Sequence, residues 1–284
     1  MLPSGLLVPA EAANATDHVL RTYEEHLYST GKSDATIEKY LRALQRFLAW
    51  LGEKALTVVL VREWVRLELE NKKAQTVNGS IAALNGFFRC QQRYDCIMPF
   101  EKVVESPYRE DCRSLSQAEF QTLLRAADEH MKAILRIFRG TGIRVSELQF
   151  FTVEAVQTGH VTVRNKGKSR EVFLDPDTQS MLLAYCEKQG ITTGIIFTGK
   201  DGKPLSRKTI WRLMKQVARK ANILSSKVFP HNLRHLFAIE RYKEEPDLEL
   251  LRLDLGHRLI STTQRYLKQT ISEHFARVQR RRRN

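Results

Sequence analysis

The sequence predicts a mainly α-helical protein with one small β-sheet, built as a helical N-terminal domain followed by an α+β domain. Three observations carry that expectation. Apolar residues recur at a 3.6-residue period through the first third of the chain, and this period collapses between Cys96 and Arg113. In the second half, the strict alternation His160-Val161-Thr162-Val163-Arg164 reads as a strand. A length of 284 residues allows two domains, each with its own core.

Residues 1–14 are small, Pro-containing and without period, so a flexible lead is expected there. Val19, Leu20, Tyr23 and Leu27 mark a first amphipathic helix, and Gly31 lies where such a helix stops. Ser33 is placed to cap a second, in which Ile37, Tyr40, Leu41, Leu44, Phe47, Leu48 and Leu51 share a face. Stripes around Val61, Trp64 and Val65, then Val77, Ile81, Leu84, Phe87 and Phe88, predict two more. Such stripes bury themselves against one another, so residues 15–96 are expected to form a helical bundle. Pro99 and Pro107 interrupt 97–113, the expected interdomain linker, and 114–284 forms the second domain.

That domain opens on a strong start signal. Ser116 and Glu119 make a capping box, with Leu115 and Phe120 at the hydrophobic-staple positions. A helix to about Ala127 and another over 131–139 lead into Gly140-Thr141-Gly142, with a short helix near Glu147. After the strand, Asn165-Lys166-Gly167-Lys168 turns the chain and 171–174 returns as a second strand. Asp175-Pro176 is an N-cap and N1 pair. Residues 195–197 are expected as a short strand, and Ser206 as the cap of a helix carrying Ile210, Leu213, Met214 and Val217. The chain beyond His231 is expected to be helical, with breaks at Pro246 and Gly256.

Lys and Arg number 46 against 32 Asp and Glu, a net charge of +14 with a pI near 9.8. An excess of that size favours a polyanionic partner. No apolar run approaches the roughly 18–20 residues that span a bilayer, and Met1 to Ala13 lack the pattern of a secretion signal. No membrane partner and a cytoplasmic location are therefore expected. Cys90, Cys96, Cys112 and Cys186 have neither zinc-ligand spacing nor the density of a disulfide scaffold.

Four segments of the second domain carry phosphate-handling groups. Thr141-Gly142-Ile143-Arg144-Val145-Ser146-Glu147-Leu148 places Arg144 at a helix start with Glu147 one turn on. Pro230-His231-Asn232-Leu233-Arg234-His235 puts His231 and Arg234 on one helix face. Leu255-Gly256-His257 precedes Ser261-Thr262-Thr263-Gln264-Arg265-Tyr266, and Lys166 stands at the hairpin turn between these segments. Each has an ordinary reading when taken alone. Arg144 with Glu147 reads as a surface ion pair, worth well under about 1 kcal/mol. Tyr266 reads as a half-buried core residue, and Lys166 as a solvated lysine. Together they are far less ordinary.

In this set the chain resembles the tyrosine recombinases, the phage integrase family. The order Arg144, Lys166, His231-x-x-Arg234, His257, Tyr266 is the family's own, and so is the interval 266 − 257 = 9. The resemblance runs from Leu115 to about Val278 and is strongest in 141–148, 230–238 and 247–266. The first domain resembles, less specifically, the family's core-binding helical domain. A compact Xer-type or transposon-integrase layout is implied, with no arm-site domain expected before residue 15. Leu236, Asp254 and Glu244-Glu245-Pro246 depart from the family's usual residues.

The resemblance implies a DNA strand transferase in which Tyr266 is the nucleophile and makes a 3′-phosphotyrosyl bond. Arg144 and Arg234 would meet the charge on the phosphate oxygens, because guanidinium is planar, permanently charged and bidentate. Phenols ionise only at about pH 10, so a base or nearby positive charge must help, and His231 is the candidate. Lys166 would protonate the departing 5′-oxygen, with Lys168 as its rival. His257 would hydrogen-bond a phosphate oxygen, and Glu147 would orient its neighbours. No acidic cluster accompanies these residues, so no metal and no cofactor are expected.

The implied partner is a double-stranded DNA recombination site, clamped between the two domains and bound mainly through phosphates. Arg207, Lys208, Arg212 and Lys215 suit DNA contact, though a solvated helix face explains the same charges. Ile271, Phe275 and Val278 lie on one side of a final short helix, which the resemblance assigns to docking on a neighbouring subunit. The synaptic complex would then be a homo-tetramer formed from free monomers, with a possible accessory protein setting direction. Two rivals share parts of this pattern: a type IB topoisomerase-like relaxing enzyme, and a catalytically silent DNA-binding protein on the same fold.

Overall fold

The computed structural model describes residues 9–104, 115–165, 167–268 and 279, with backbone alone for 9–16 and 165. The chain divides into two compact units, 1–105 and 106–284.

The first unit is four helices: α1 (Pro9–Ser29), α2 (Asp34–Leu51), α3 (Val58–Asn71) and α4 (Ala74–Cys90). Helix α1 starts at Pro9, inside the segment expected as a flexible lead. Proline is pre-organised for a first helical turn, and Ala10, Glu11, Ala12 and Ala13 are strong helix formers. The stripes bury as their period demands. Tyr23, Leu44, Phe47, Val61, Val77 and Phe88 are wholly inaccessible, and Phe47 meets Trp64 and Phe88 edge-on. Ser33 is the N-cap of α2 by backbone conformation, but its hydroxyl pairs with the Thr36 hydroxyl at 3.0 Å instead of capping an N–H.

The expected linker begins too early at residue 97. Asn85 exchanges two hydrogen bonds with the Met98 backbone at 2.8 and 2.9 Å, and Asn78 does the same with Glu101 at 2.9 and 2.7 Å. Two asparagines two turns apart on α4 thus hold 98–101 to the first unit, as a second strand would. Residues 105–113 of that stretch lie outside the described residues.

The second unit opens with α5 (Gln117–Ala126), whose Ser116–Glu119 capping box is formed in both directions. Helix α6 (Glu129–Thr141) runs through the core with Met131, Ile134, Leu135, Ile137 and Phe138 buried. It ends at Gly142 in the left-handed conformation, φ 60°, the position that favours glycine. A 3₁₀ turn over Val145–Phe150 stands where a short helix was expected near Glu147, and an unexpected short helix, α7 (Val153–Gln157), follows it.

Strands β1 (His160–Asn165) and β2 (Lys168–Phe173) form an antiparallel hairpin whose last pair is Asn165 with Lys168. The second strand therefore starts three residues before its expected beginning, and two residues connect the strands. Helix α8 (Pro176–Gln189) is capped by Asp175 as expected. Residues 195–197 do not form a strand of their own. Ile195 makes an isolated bridge to Thr152, while the Phe197 carbonyl accepts from the Leu205 N–H at 3.1 Å, so the segment passes from one partner to another without a ladder. Helix α9 (Arg207–Lys220), capped by Ser206, and α10 (Pro230–Glu244) follow. Helix α11 (Leu248–Leu255), α12 (Ile260–Gln264) and a 3₁₀ turn over Arg265–Leu267 complete the described chain, apart from residue 279. Among the described residues no helix is long and apolar enough to cross a membrane.

Candidate active site

The site is built from the ends of elements. Helix α10 begins after Phe229 with Pro230 in its first turn, which leaves His231 exposed at the entrance and buries Arg234 one turn deeper, at 1% accessibility. His235 lies beside it, also buried. The 3₁₀ turn over 265–267 brings Tyr266 onto this face. The Tyr266 ring centroid is 5.2 Å from that of His231, 5.1 Å from His257 and 5.8 Å from His235, and the Arg234 guanidinium carbon lies 5.9 Å from it. The phenol oxygen is 3.2 Å from Nε2 and 3.3 Å from Nδ1 of His231. Three imidazoles and a guanidinium therefore surround one buried phenol.

Among the described residues Arg234 has no carboxylate partner. It donates to the Gly142 carbonyl at 2.6 Å, to the Leu255 carbonyl, and to His257 Nε2 at 3.0 Å. Its buried Nε has no hydrogen-bond partner among the described residues. Burial, then the nearby Arg144 charge, pushes its pKa down to about 10, so it stays charged at neutral pH. Because guanidinium only donates, His257 Nε2 must accept. The His257 proton then sits on Nδ1 and is donated to the Thr263 hydroxyl at 3.0 Å.

Glu147 overturns the bland reading of its pairing with Arg144. Its side chain is wholly buried, and it accepts from the Arg144 backbone N–H at 2.8 Å and Arg144 Nη1 at 2.9 Å. It also accepts two parallel bonds from Arg170, at 2.9 and 3.0 Å. Burial raises the pKa of Glu147, but the hydrogen bonds from Arg170 and Arg144 outweigh it and hold the carboxyl below its ordinary value. Arg144 remains about one third exposed, with Nη2 on the Gly256 carbonyl at 3.2 Å.

Sequence reading missed Arg170, His235 and Thr263. A signal for Arg170 existed: it shares a strand face with buried Val172, an inward position where a charge needs a partner. Two departures from the family's usual residues share one partner, since Arg241 pairs with Asp254 at 3.1 Å and with Glu245 at 2.9 Å.

Not every expected residue is in the cluster. Lys166 lies outside the described residues, as do Ile271, Phe275 and Val278. Lys168 is exposed at the first position of β2. Arg207, Lys208 and Arg212 are exposed on α9 around Trp211. Lys215 does not join them on the exposed face. It is buried at 9%, with its ammonium donating to the Ser225 carbonyl and lying 4.7 Å from the Trp211 ring centre. The amphipathic period puts 215 on the inner side beside Met214 and Ala218, and the charge turns to the nearest carbonyl. Among the described residues, no group of His, Cys, Asp and Glu could hold a metal ion.

Comparison with known proteins places the molecule. The chain belongs to the phage integrase family, the tyrosine recombinases: residues 113–273 match the phage integrase family pattern, and residues 20–93 match the family's N-terminal SAM-like domain. It is a tyrosine site-specific recombinase. The tyrosine recombinase XerD of Pseudomonas aeruginosa is 32% identical over 261 residues, covering 83% of this chain and 87% of that protein. Tyrosine recombinase XerA of Pyrococcus furiosus is 28% identical over 264 residues, covering 89% and 90%. The fold is shared with the Tn1549 transposon integrase in complex with circular intermediate DNA, at a TM-score of 0.68 and 18% identity over 92% of this chain and 99% of that one.

Proposed function

We propose that this chain cuts and rejoins double-stranded DNA at specific sites through a covalent bond from Tyr266 to a 3′-phosphate. The carrying observation is the buried phenol within hydrogen-bond reach of His231 and ringed by Arg234, His257 and His235. In this reading the Tyr266 oxygen attacks phosphorus and passes its proton to His231. The bond from phosphorus to the 5′-oxygen breaks, and that oxygen takes a proton from Lys166, or from its rival Lys168. The phosphotyrosyl bond keeps the energy of the broken linkage, so a 5′-hydroxyl from a second strand reverses the step without ATP.

Arg144 and Arg234 meet the charge on the non-bridging oxygens. Arg234 is suited to this by being buried and charged with one donor unused, a state that an entering phosphate relieves. His257 accepts from Arg234, so donating to a phosphate oxygen requires its proton to move to Nε2 when Arg234 turns to the phosphate. Arg207, Lys208 and Arg212 contact DNA from α9. Four copies act on two sites in the cytoplasm.

A nicked suicide duplex tests the core of this reading. Cleavage near the nick releases a short fragment and traps protein on DNA. The native chain should form an adduct that survives denaturation and resists EDTA, and Tyr266→Phe should form none. An adduct of equal yield with Tyr266→Phe would refute the assignment. Relaxation of supercoils by single copies, without paired sites, would place the activity with the topoisomerases.

A further inference from the structure

We infer that Arg170 is a positioning residue for strand cleavage: by occupying Glu147 it leaves the outer edge of Arg144 free for the scissile phosphate. The inference rests on the recombinase reading above.

Three consecutive carbonyls at the C-terminal end of α11 each accept from a different arginine. Asp254 accepts from Arg170 Nε at 3.3 Å, Leu255 from Arg234, and Gly256 from Arg144 at 3.2 Å. Last-turn carbonyls lack partners within their own helix and form its negative end. They offset part of the repulsion among three guanidiniums, of which Arg144 and Arg170 share the Glu147 carboxylate and Arg234 pairs with none among the described residues. His257 follows directly, so the same helix end that gathers the arginines also sets the imidazole beside Tyr266.

Glu147 is the contested group. Arg170 holds it by two parallel bonds, whereas the Arg144 side chain has only one. A wholly buried carboxylate deprived of Arg170 would keep Arg144 as its only cation, and fork-to-fork pairing is the favoured geometry for guanidinium and carboxylate. Arg144 would then rotate onto Glu147, leave the Gly256 carbonyl and withdraw from the phosphate. The fit of Arg170 is close, since a Cβ on Gly256 would fall 2.6 Å from its Cδ. Arg170 also stands two residues beyond the last hairpin pair, so the bond to Glu147 anchors the strand leaving the turn that carries Lys166.

The test uses the full chain and a nicked suicide duplex bearing a site selected from a random duplex library. Two quantities are read for each variant: the dissociation constant for the duplex, and the rate of adduct formation at saturating protein. Arg170→Met should slow adduct formation roughly 10- to 100-fold with binding nearly unchanged. Adding Glu147→Gln to Arg170→Met should restore most of the rate, because no charged oxygen is left to capture Arg144. A merely structural role predicts the opposite, a double variant as slow as the single one or slower. That result, or an unchanged rate in Arg170→Met, overturns the inference. Should Arg170→Met fail to fold, Arg170→Lys keeps the charge without the fork. It should fall below the native rate and recover with Glu147→Gln, and failure to recover is equally fatal. The recombinase reading fails separately, if the native chain forms no adduct or Tyr266→Phe still does.

Discussion

His257 and Glu147 show how burial and the neighbouring arginines together set the protonation of this site. Burial, then the charges of Arg234, Arg144 and Arg170, pushes the His257 pKa down to about 3 from an ordinary 6.5. Unfolding restores the ordinary value, so between those pH values the unfolded chain binds a proton that the native one refuses. Stability from the neutral imidazole is thus complete above pH 6.5 and is lost as pH falls towards 3. Glu147, held below its ordinary 4.5, acts in the same direction at lower pH. Urea unfolding should therefore show the second unit losing about 1.5 kcal/mol from this one group between pH 6.5 and 5. His257→Gln should flatten that part of the pH dependence, whatever its effect at neutral pH. Parallel curves for the two proteins would show that His257 is not held neutral. The chemistry-bearing residue types could be read from the order of the chain. The wholly buried state of Glu147 could not, since an Arg and a Glu three apart look the same on a surface.

At the scale of elements, the junctions do the positioning. Gly142 ends α6 at φ 60°, its carbonyl holds Arg234, and a Cβ there would stand 2.3 Å from the Phe237 ring of α10. Gly190 ends α8 with a similar φ of 67°, yet a Cβ there would meet nothing within 4 Å. Gly190→Ala should therefore cost about 1 kcal/mol from backbone strain alone. Gly142→Ala adds overpacking, worth a further ~1–3 kcal/mol, and should also slow adduct formation by shifting Arg234. Equal losses of stability in the two variants would show that the α6–α10 contact is not tight. Element positions were largely legible because their signals are local: the Ser116–Glu119 box, the Asp175-Pro176 pair and the Ser206 cap all formed. The exceptions depended on partners distant in sequence. Residues 97–101 look like free linker until Asn85 and Asn78 are seen to hold them. Residues 195–197 have strand composition, but their pairing is divided between Thr152 and Leu205, so no ladder forms.

For the whole molecule, the net charge of +14 makes DNA affinity steeply dependent on salt, because each neutralised phosphate releases condensed counterions. The arrangement of α9 divides its cations. Arg212→Gln should lower the slope of log affinity against log salt by about 0.9. Lys215→Met should leave that slope unchanged, since the Lys215 ammonium is turned to the Ser225 carbonyl. A drop in slope for Lys215→Met matching that of Arg212→Gln would mean that its charge faces the phosphates. Sequence alone determined the mainly helical two-part fold, most of the caps, and the order in which Arg144, His231, Arg234, His257 and Tyr266 stand along the chain. It could do so because periodicity, capping and motif order are written between near neighbours. Only the tertiary structure decided that Arg170 shares Glu147, that three arginines divide three carbonyls, and that Lys215 is withdrawn. The first rests on a contact spanning 23 residues, from Arg170 to Glu147, and the second on contacts spanning 84 and 112, from Arg170 to Asp254 and from Arg144 to Gly256, which packing creates and no local pattern records.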